Sequence, residues 1–360
     1  MATAFIQTSI FTKTFVLTSE ARSIVATTDE DRLSVSLSCS GETFFTVDIY
    51  AYDGKVELFD PGALIENYFI ARQMICESVT VTFGTASKNI LFLYCENDMP
   101  ASFNPSRVLL LSSHARRVHK DSQFTVAALP VAPDTPFVIK VVGHDYLGQI
   151  ASTRFNKTLN IVDTLFTNFS VSSIIRKATG HTVSEFGPLQ DNALEDVMYF
   201  SVEHDERQLM CYITPAPAYL TFRFRNIFNV PELVDIEGSM VTKSETTRKD
   251  AVCSGDIIKY DRRTDRTYEF TTGPLPADEV ESLAQLLSSH SIQLLADGTY
   301  HDVVIEDHSC EDSTDDNSLT AMKFTWRFKG RRPVNFNSSI FGILPSHREI
   351  FSDQFSPEYE

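Results

Sequence analysis

A period of two governs most of this 360-residue chain. In "LSVSLSCS" (Leu33–Ser40), Leu33, Val35, Leu37 and Cys39 alternate with polar residues, so an extended strand there has one apolar and one polar face. "TFFTVDIYAYDGKVELF" (Thr43–Phe59) holds Asp53-Gly54 between β-rich arms, which predicts a hairpin. "SVTVTF" (Ser78–Phe83) and "NILFLYC" (Asn89–Cys95) read as a further pair. "RVLLLSS", "QFTVAAL", "PFVIKVV", "VMYFSVE", "LMCYITP" and "YLTFRFRNIF" supply more strand candidates. The 27 Phe, against a single Trp, fall largely in such runs and so read as core-facing strand residues. The expected fold class is mainly β.

Two helices break the pattern. In "FDPGALIENYFIARQ", Asp60 can cap, Pro61 suits the first helical position, and Leu64/Tyr68 and Ile65/Phe69 recur at four-residue spacing. The second is predicted over 276–290, with Asp278, Glu279 and Glu281 early, where the helix dipole favours acids. Its stripe is Val280, Leu283, Ala284 and Leu287. Each helix follows a β-rich hairpin and precedes two strands, so the order strand, helix, strand, strand occurs twice without sequence identity between the copies. Pro-bearing polar stretches at Cys95–Ser106 and Ile213–Leu220 are the expected joints. The expected domains are 1–106, β with one helix; 107–215, a middle β module; 216–335, β with the second helix; and 336–360, a C-terminal arm.

The net charge of −17 argues against general binding to nucleic-acid phosphates. It does not argue against a surface past which DNA slides without sticking. Six scattered cysteines without CxxC spacing fit reduced thiols of a chain made in the cytosol. The start lacks a basic segment followed by an unbroken apolar run, and no apolar stretch approaches the length of a membrane span. The expectation is a soluble chain without a cleaved signal and with no membrane partner.

Chemistry concentrates in "HDVVIEDHSCEDSTDDNSLTAMKFTWRF" (His301–Phe328), whose first sixteen residues hold two His, one Cys and seven acids. His308 and Cys310 would share a strand face and His301 would lie on the other, with no second paired motif for zinc. "EDSTDDNS" lacks the Gly and late Glu of a calcium loop. A Cys–His nucleophile would need an orienting group and oxyanion donors that nothing marks. Nucleotide-binding, hydrolase and zinc-protease signatures are absent. The chain therefore reads as non-enzymatic, with no cofactor, metal or catalytic residue assigned. "YHDVVIE" and "AMKFTWRF" become hairpin arms, with Phe324, Trp326 and Phe328 on one core face.

Charge placement carries more. The acidic run Asp302–Asp316 is followed by Lys323, Arg327, Lys329, Arg331 and Arg332, and a second basic group, Lys259, Arg262, Arg263 and Arg266, precedes the second helix. This segregation suits either a solvated face or a subunit whose acidic loop meets a basic strip on the next copy. The subunit-interface candidates are Asp312, Asp315, Asp316, Arg327, Lys329, Arg331 and Arg332, together with Phe351 and Phe355 of a tail with spaced Ile and Phe anchors.

The region from "YLTFRFRNIFNVPELVDIEGSMV" through "DIIKYDRRTDRTYEF", the helix at 276–290 and "AMKFTWRF" resembles phage tail proteins of the tube, distal-tail and baseplate-hub type. The closing "REIFSDQFSPEY" looks like the Phe-rich ends of tail proteins from Bacteroidetes-type phages and prophages. The resemblance covers about 140 residues and, more weakly, the N-terminal copy. It implies two tube-like β domains, each with one flanking helix, plus an additional β module. It further implies a virion subunit assembled in the host cytoplasm, forming a trimeric or hexameric ring around a DNA channel beside other tail or baseplate proteins. The middle region has no counterpart in that pattern. The alternative from another class is a β-sandwich carbohydrate- or receptor-binding protein, and an enzyme using the His/Cys/acid cluster comes third.

Overall fold

The structure, a computed structural model, describes residues 4–5, 13–100, 102–129, 135–157, 166–215, 219–253, 256–296, 298–310 and 321–330. The fold is mainly β, with twenty-one strands and three α-helices among the described residues. The chain forms two compact units, one of residues 1–105 with 226–230, the other of 106–225 with 231–360.

The first unit holds β1 (Ala4–Phe5), β2 (Val16–Leu17), β3 (Ser23–Thr27), β4 (Arg32–Cys39), β5 (Glu42–Tyr50), β6 (Lys55–Phe59), α1 (Pro61–Arg72), β7 (Cys76–Phe83) and β8 (Ala86–Leu93). One sheet runs β2-β8-β7-β4-β5 and a smaller one β1-β3-β6. As expected, Leu33, Val35, Leu37 and Cys39 are buried together, and β7 and β8 pair antiparallel. Asp60 caps α1 by accepting from the Ala63 amide at 3.4 Å, with Pro61 in the first turn. Ile65 and Phe69 enter the core beside Leu37, Val81 and Phe92.

The Asp53-Gly54 hairpin needs correction. The turn forms, with both residues at positive φ (50° and 67°) as a tight two-residue turn requires, and Tyr52 bridges Lys55. Beyond that bridge the arms part: β5 pairs β4, while β6 pairs β3 in the other sheet. Turn chemistry sets the reversal, but burial of Val56 and Leu58 against Ile24 decides the partner.

The second unit begins with an irregular segment rather than the strand expected at "RVLLLSS". Leu109, Leu110 and Leu111 are buried there, and the Leu110 amide donates to Ala127 O, 2.8 Å away. Then come β9 (Ala115–Val118), β10 (Gln123–Ala127), β11 (Phe137–His144), β12 (Ile150–Lys157), β13 (Phe166–Ser170), α2 (Val171–Ala178), β14 (Tyr199–His204) and β15 (Arg207–Ile213). Strands β12-β11-β14-β15-β9 make one sheet, and β10-β13 a two-stranded partner. The rings of Phe124, Phe137, Phe169 and Phe200 meet at 5.5–5.7 Å. Helix α2 is a third helix that the sequence reading missed. It has eight residues, capped by Ser170, whose hydroxyl accepts from the Ser173 amide at 3.4 Å.

The rest is a closed six-stranded barrel, in the order β16 (Tyr219–Arg225), β17 (Pro231–Cys253), β18 (Asp256–Thr272), β21 (Met322–Phe328), β20 (Thr299–Cys310) and β19 (Ile292–Ala296). Helix α3 (Ala277–Ser288) connects β18 to β19 and sends Leu283, Leu286 and Leu287 into the same core as the strands. Phe324, Trp326 and Phe328 do share the core face, with Trp326 stacked on Tyr268 at 4.4 Å. Gly238 lets two strands close up, because a Cβ there would stand 2.3 Å from Thr271 O. The order strand, helix, strand, strand recurs in both units, yet among the described residues only the second copy closes on itself.

Candidate interaction surface

The barrel's most unusual element is the β17–β18 hairpin. Its ladder runs from Gly238↔Thr272 to Cys253↔Asp256, with a register shift at Lys249/Asp250. Strand β16 pairs β17 only through Glu237, and β21 pairs β18 only from Tyr268 to Thr271. Beyond Thr242 the hairpin is a ribbon in which, among the described residues, β17 and β18 pair as strands only with each other. At ~3.3 Å per residue its eleven further β17 residues amount to about 35 Å of extended strand. Between Lys243 and Arg266 it carries seven basic and five acidic side chains, in a chain of net charge −17. The predicted group Lys259, Arg262, Arg263 and Arg266 falls on its second strand.

Where the ribbon leaves the barrel, the outward face is laced with charge. Glu269 of β18 accepts from Lys243 at 2.5 Å and pairs with Lys323 at 2.6 Å, one cation from each flanking strand. Those two lysines hold the Glu269 carboxyl below its ordinary range. Arg327 pairs with Glu306 at 2.5 Å, and Val241, 55% exposed, lies opposite Glu269. The predicted interface residue Arg327 is therefore already engaged within its own chain. Lys329 borders an open cleft of about 260 Å³ with His290, Asp302 and Leu287. Asp312, Asp315, Asp316, Arg331, Arg332, Phe351 and Phe355 lie outside the described residues, as do the acidic connection and the C-terminal arm.

The hairpin expected around that connection forms, β20 against β21, and β20 extends to Cys310. One expectation about it is overturned. The ladder slips between Ile305 and Asp307, leaving Glu306 as an extra residue. That bulge inverts the parity, so His301 and His308 fall on the same side of the strand. They are still seven residues, about 20 Å, apart. Among the described residues no group of three His, Cys, Asp or Glu side chains stands close enough to hold a metal ion. The described thiols Cys39, Cys76, Cys95 and Cys211 are unpaired, and burial pushes Cys76, Cys95 and Cys211 each up to about 12. No described helix is long and apolar enough to cross a membrane.

Sequence reasoning missed the ionic junction that fastens the middle module to the barrel. Arg116 of β9 forms an ion pair with Glu232 of β17, the two side chains 5% and 0% exposed. Glu232 also accepts from the Ser112 amide (3.0 Å) and hydroxyl (2.9 Å), and Ser112 meets Ser282 of α3. Next to it Arg117 forks onto Glu279 of α3 at 2.7–3.0 Å and reaches Glu237 at 3.2 Å. His119, also buried, stands 3.6 Å from Glu237, and burial lowers its basicity. Asp235 accepts from Thr221 at 2.7 Å, and burial raises its carboxyl. The partners lie about 115–170 residues apart, so no local spacing announces them. One clue stands in the sequence: Glu232 occupies an apolar slot of the alternation Glu232, Val234, Ile236.

No protein-family model matches the chain, and no curated protein matches it. Among solved structures, a chain described as the tail of an empty GTA particle, computed with helical refinement in C6 symmetry, is similar over 31% of this chain and 92% of its own. The identity is 10% and the TM-score 0.23.

Proposed function

We propose that this chain is a non-enzymatic structural subunit of a phage tail or tail-like apparatus, assembling with copies of itself into a trimeric or hexameric ring around a channel for DNA. The observation that carries the proposal is the closed barrel with one flanking helix, two of whose strands continue past it as a long ribbon in which, among the described residues, each pairs only with the other. An isolated two-stranded hairpin is marginal in water. Strand edges that no further strand covers invite pairing. A ribbon kept this long makes physical sense when a neighbouring copy covers it.

Two further features support the reading. The ionic junction gives the ribbon a rigid base by tying β17 and α3 to β9. The net charge of −17 suits a conduit that DNA passes without adhering. On this reading the ribbon's basic strand seeks acidic surface on the next copy, other tail or baseplate proteins cap the ring, and the protein resides in the virion. Mass photometry of the full chain tests it: closed trimers or hexamers support the proposal, and a stable monomer at micromolar concentration overturns it.

One observation favours a different role for the middle module. Tyr199 and Tyr212 lie side by side on one face of its five-stranded sheet at 5.9 Å, Tyr212 48% exposed, a pair of rings on which a sugar could stack. Glycan-array binding abolished by Tyr212→Ala would favour that reading, and no glycan signal from the intact chain would remove it.

A further inference from the structure

In the first unit, β5 forms the edge of the five-stranded sheet. It is nine residues long and pairs only with β4. Among the described residues, no backbone group from Phe45 to Tyr50 bonds to any other segment. Natural edge strands are usually blunted by Lys, Pro, shortness or a covering loop. This one has no Lys, Arg or Pro, and from Phe45 to Ile49 its only charge is Asp48, which pairs with Arg32 at 3.6 Å. Phe45, Val47 and Ile49 pack on the core yet are only partly buried, because the sheet stops beside them.

We infer that β5 is a two-fold interface, pairing antiparallel with β5 of a second copy about Val47. Such contacts are self-complementary, so the register can be tested residue by residue. Centred on Val47, Phe45 faces Ile49, Thr46 faces Asp48 and Val47 faces itself. Every apolar core-side residue then meets an apolar one, and each Asp48 meets a hydroxyl. Centring on Asp48 sets two carboxylates directly opposite, which is repulsive. Centring on Thr46 carries the pairing into the bulge at Leu37/Ser38, which leaves Phe44 as the extra residue and ends the regular edge. The occupant is therefore another β5, and two five-stranded sheets become one of ten. This contact is independent of the ribbon, so it joins two chains, or two rings, whichever is present.

Cysteine scanning in the full chain, with Cys253 and Cys310 replaced by Ser, tests the register. Directly opposed Cβ atoms lie about 4.5–5.5 Å apart, within a small shift of disulfide geometry. Under mild copper-phenanthroline oxidation, Val47→Cys is expected to run mainly as a disulfide-linked dimer. Thr46→Cys and Asp48→Cys alone are expected to stay uncrosslinked, while an equimolar mixture of the two gives a dimer. Equal cross-linking of all three single variants, or none by Val47→Cys and none in the mixture, overturns the inference. Those outcomes leave the ring reading untouched if rings still form, and loss of rings with this cross-linking pattern intact sinks the ring reading alone.

Discussion

Glu232 shows how much one side chain can decide. It is fully buried, and it accepts from a guanidinium, an amide and a hydroxyl. Removing one partner of such a pair strands the other charge in low dielectric, at a cost of about 3–5 kcal/mol. Glu232→Gln is therefore expected to lower stability by about 3 kcal/mol, or slightly less because the amide oxygen still accepts. Urea unfolding followed by the fluorescence of Trp326, the only Trp, measures it. A loss below about 0.5 kcal/mol, the size of an ordinary surface change, would contradict the assignment. Asp235 behaves differently, because burial raises its folded-state carboxyl. Its contribution to stability is full in acid and is lost as pH rises through the raised value. Asp235→Asn, which can still accept from Thr221, should thus gain on the wild type as pH increases from 4 and level off once Asp235 ionises. A gain that shrinks with rising pH would contradict this. His119, whose basicity burial lowers, is the titratable neighbour of Asp235, together with Glu237, Arg117 and Asp121 around it.

At the scale of elements, what was legible follows period and punctuation. The alternation of Leu33, Val35, Leu37 and Cys39, the Asp60-Pro61 start of α1, and the shared core face of Phe324, Trp326 and Phe328 are local facts, and each appears as read. The errors fall where tertiary contacts override local signals. Asp53-Gly54 makes its turn, but the arms leave for separate sheets. "RVLLLSS" has strand composition, yet its buried backbone is irregular while Ser112 serves Glu232. Helix α2 is too short for a periodic stripe to stand out, and a one-residue bulge reverses the predicted faces of His301 and His308. The interface candidates were legible only as charge bias. Nothing local revealed that Arg327 is answered by Glu306 on the next strand. The ribbon is the element to test: replacing residues 244–266 by Asn-Gly after the Lys243↔Thr267 pair leaves every barrel strand pairing in place. This variant is expected to keep the fluorescence and unfolding midpoint of the wild type while losing assembly. Unfolding of the barrel would show instead that the ribbon serves its own chain.

At the scale of the whole molecule, no described group of three His, Cys, Asp or Glu side chains stands close enough to hold a metal ion. The chain's distinctive features are edges and charge: the ribbon, the β5 edge, an outward ladder of Lys243, Glu269 and Lys323, and a net charge of −17. On the proposed reading, these are the surfaces through which copies of the chain touch. Heterologous contacts that close generate rings, whereas an isologous contact stops at two. The ribbon and β5 therefore predict different stoichiometries. The most direct test is the particle mass of the full chain and the ribbon-shortened variant, measured side by side at micromolar concentration. The ring account predicts three or six chains, or twice that number where β5 joins two rings, and no ring once the ribbon is shortened. A wild type that stays monomeric or stops at two chains, or a shortened variant that still forms the same ring, would contradict it.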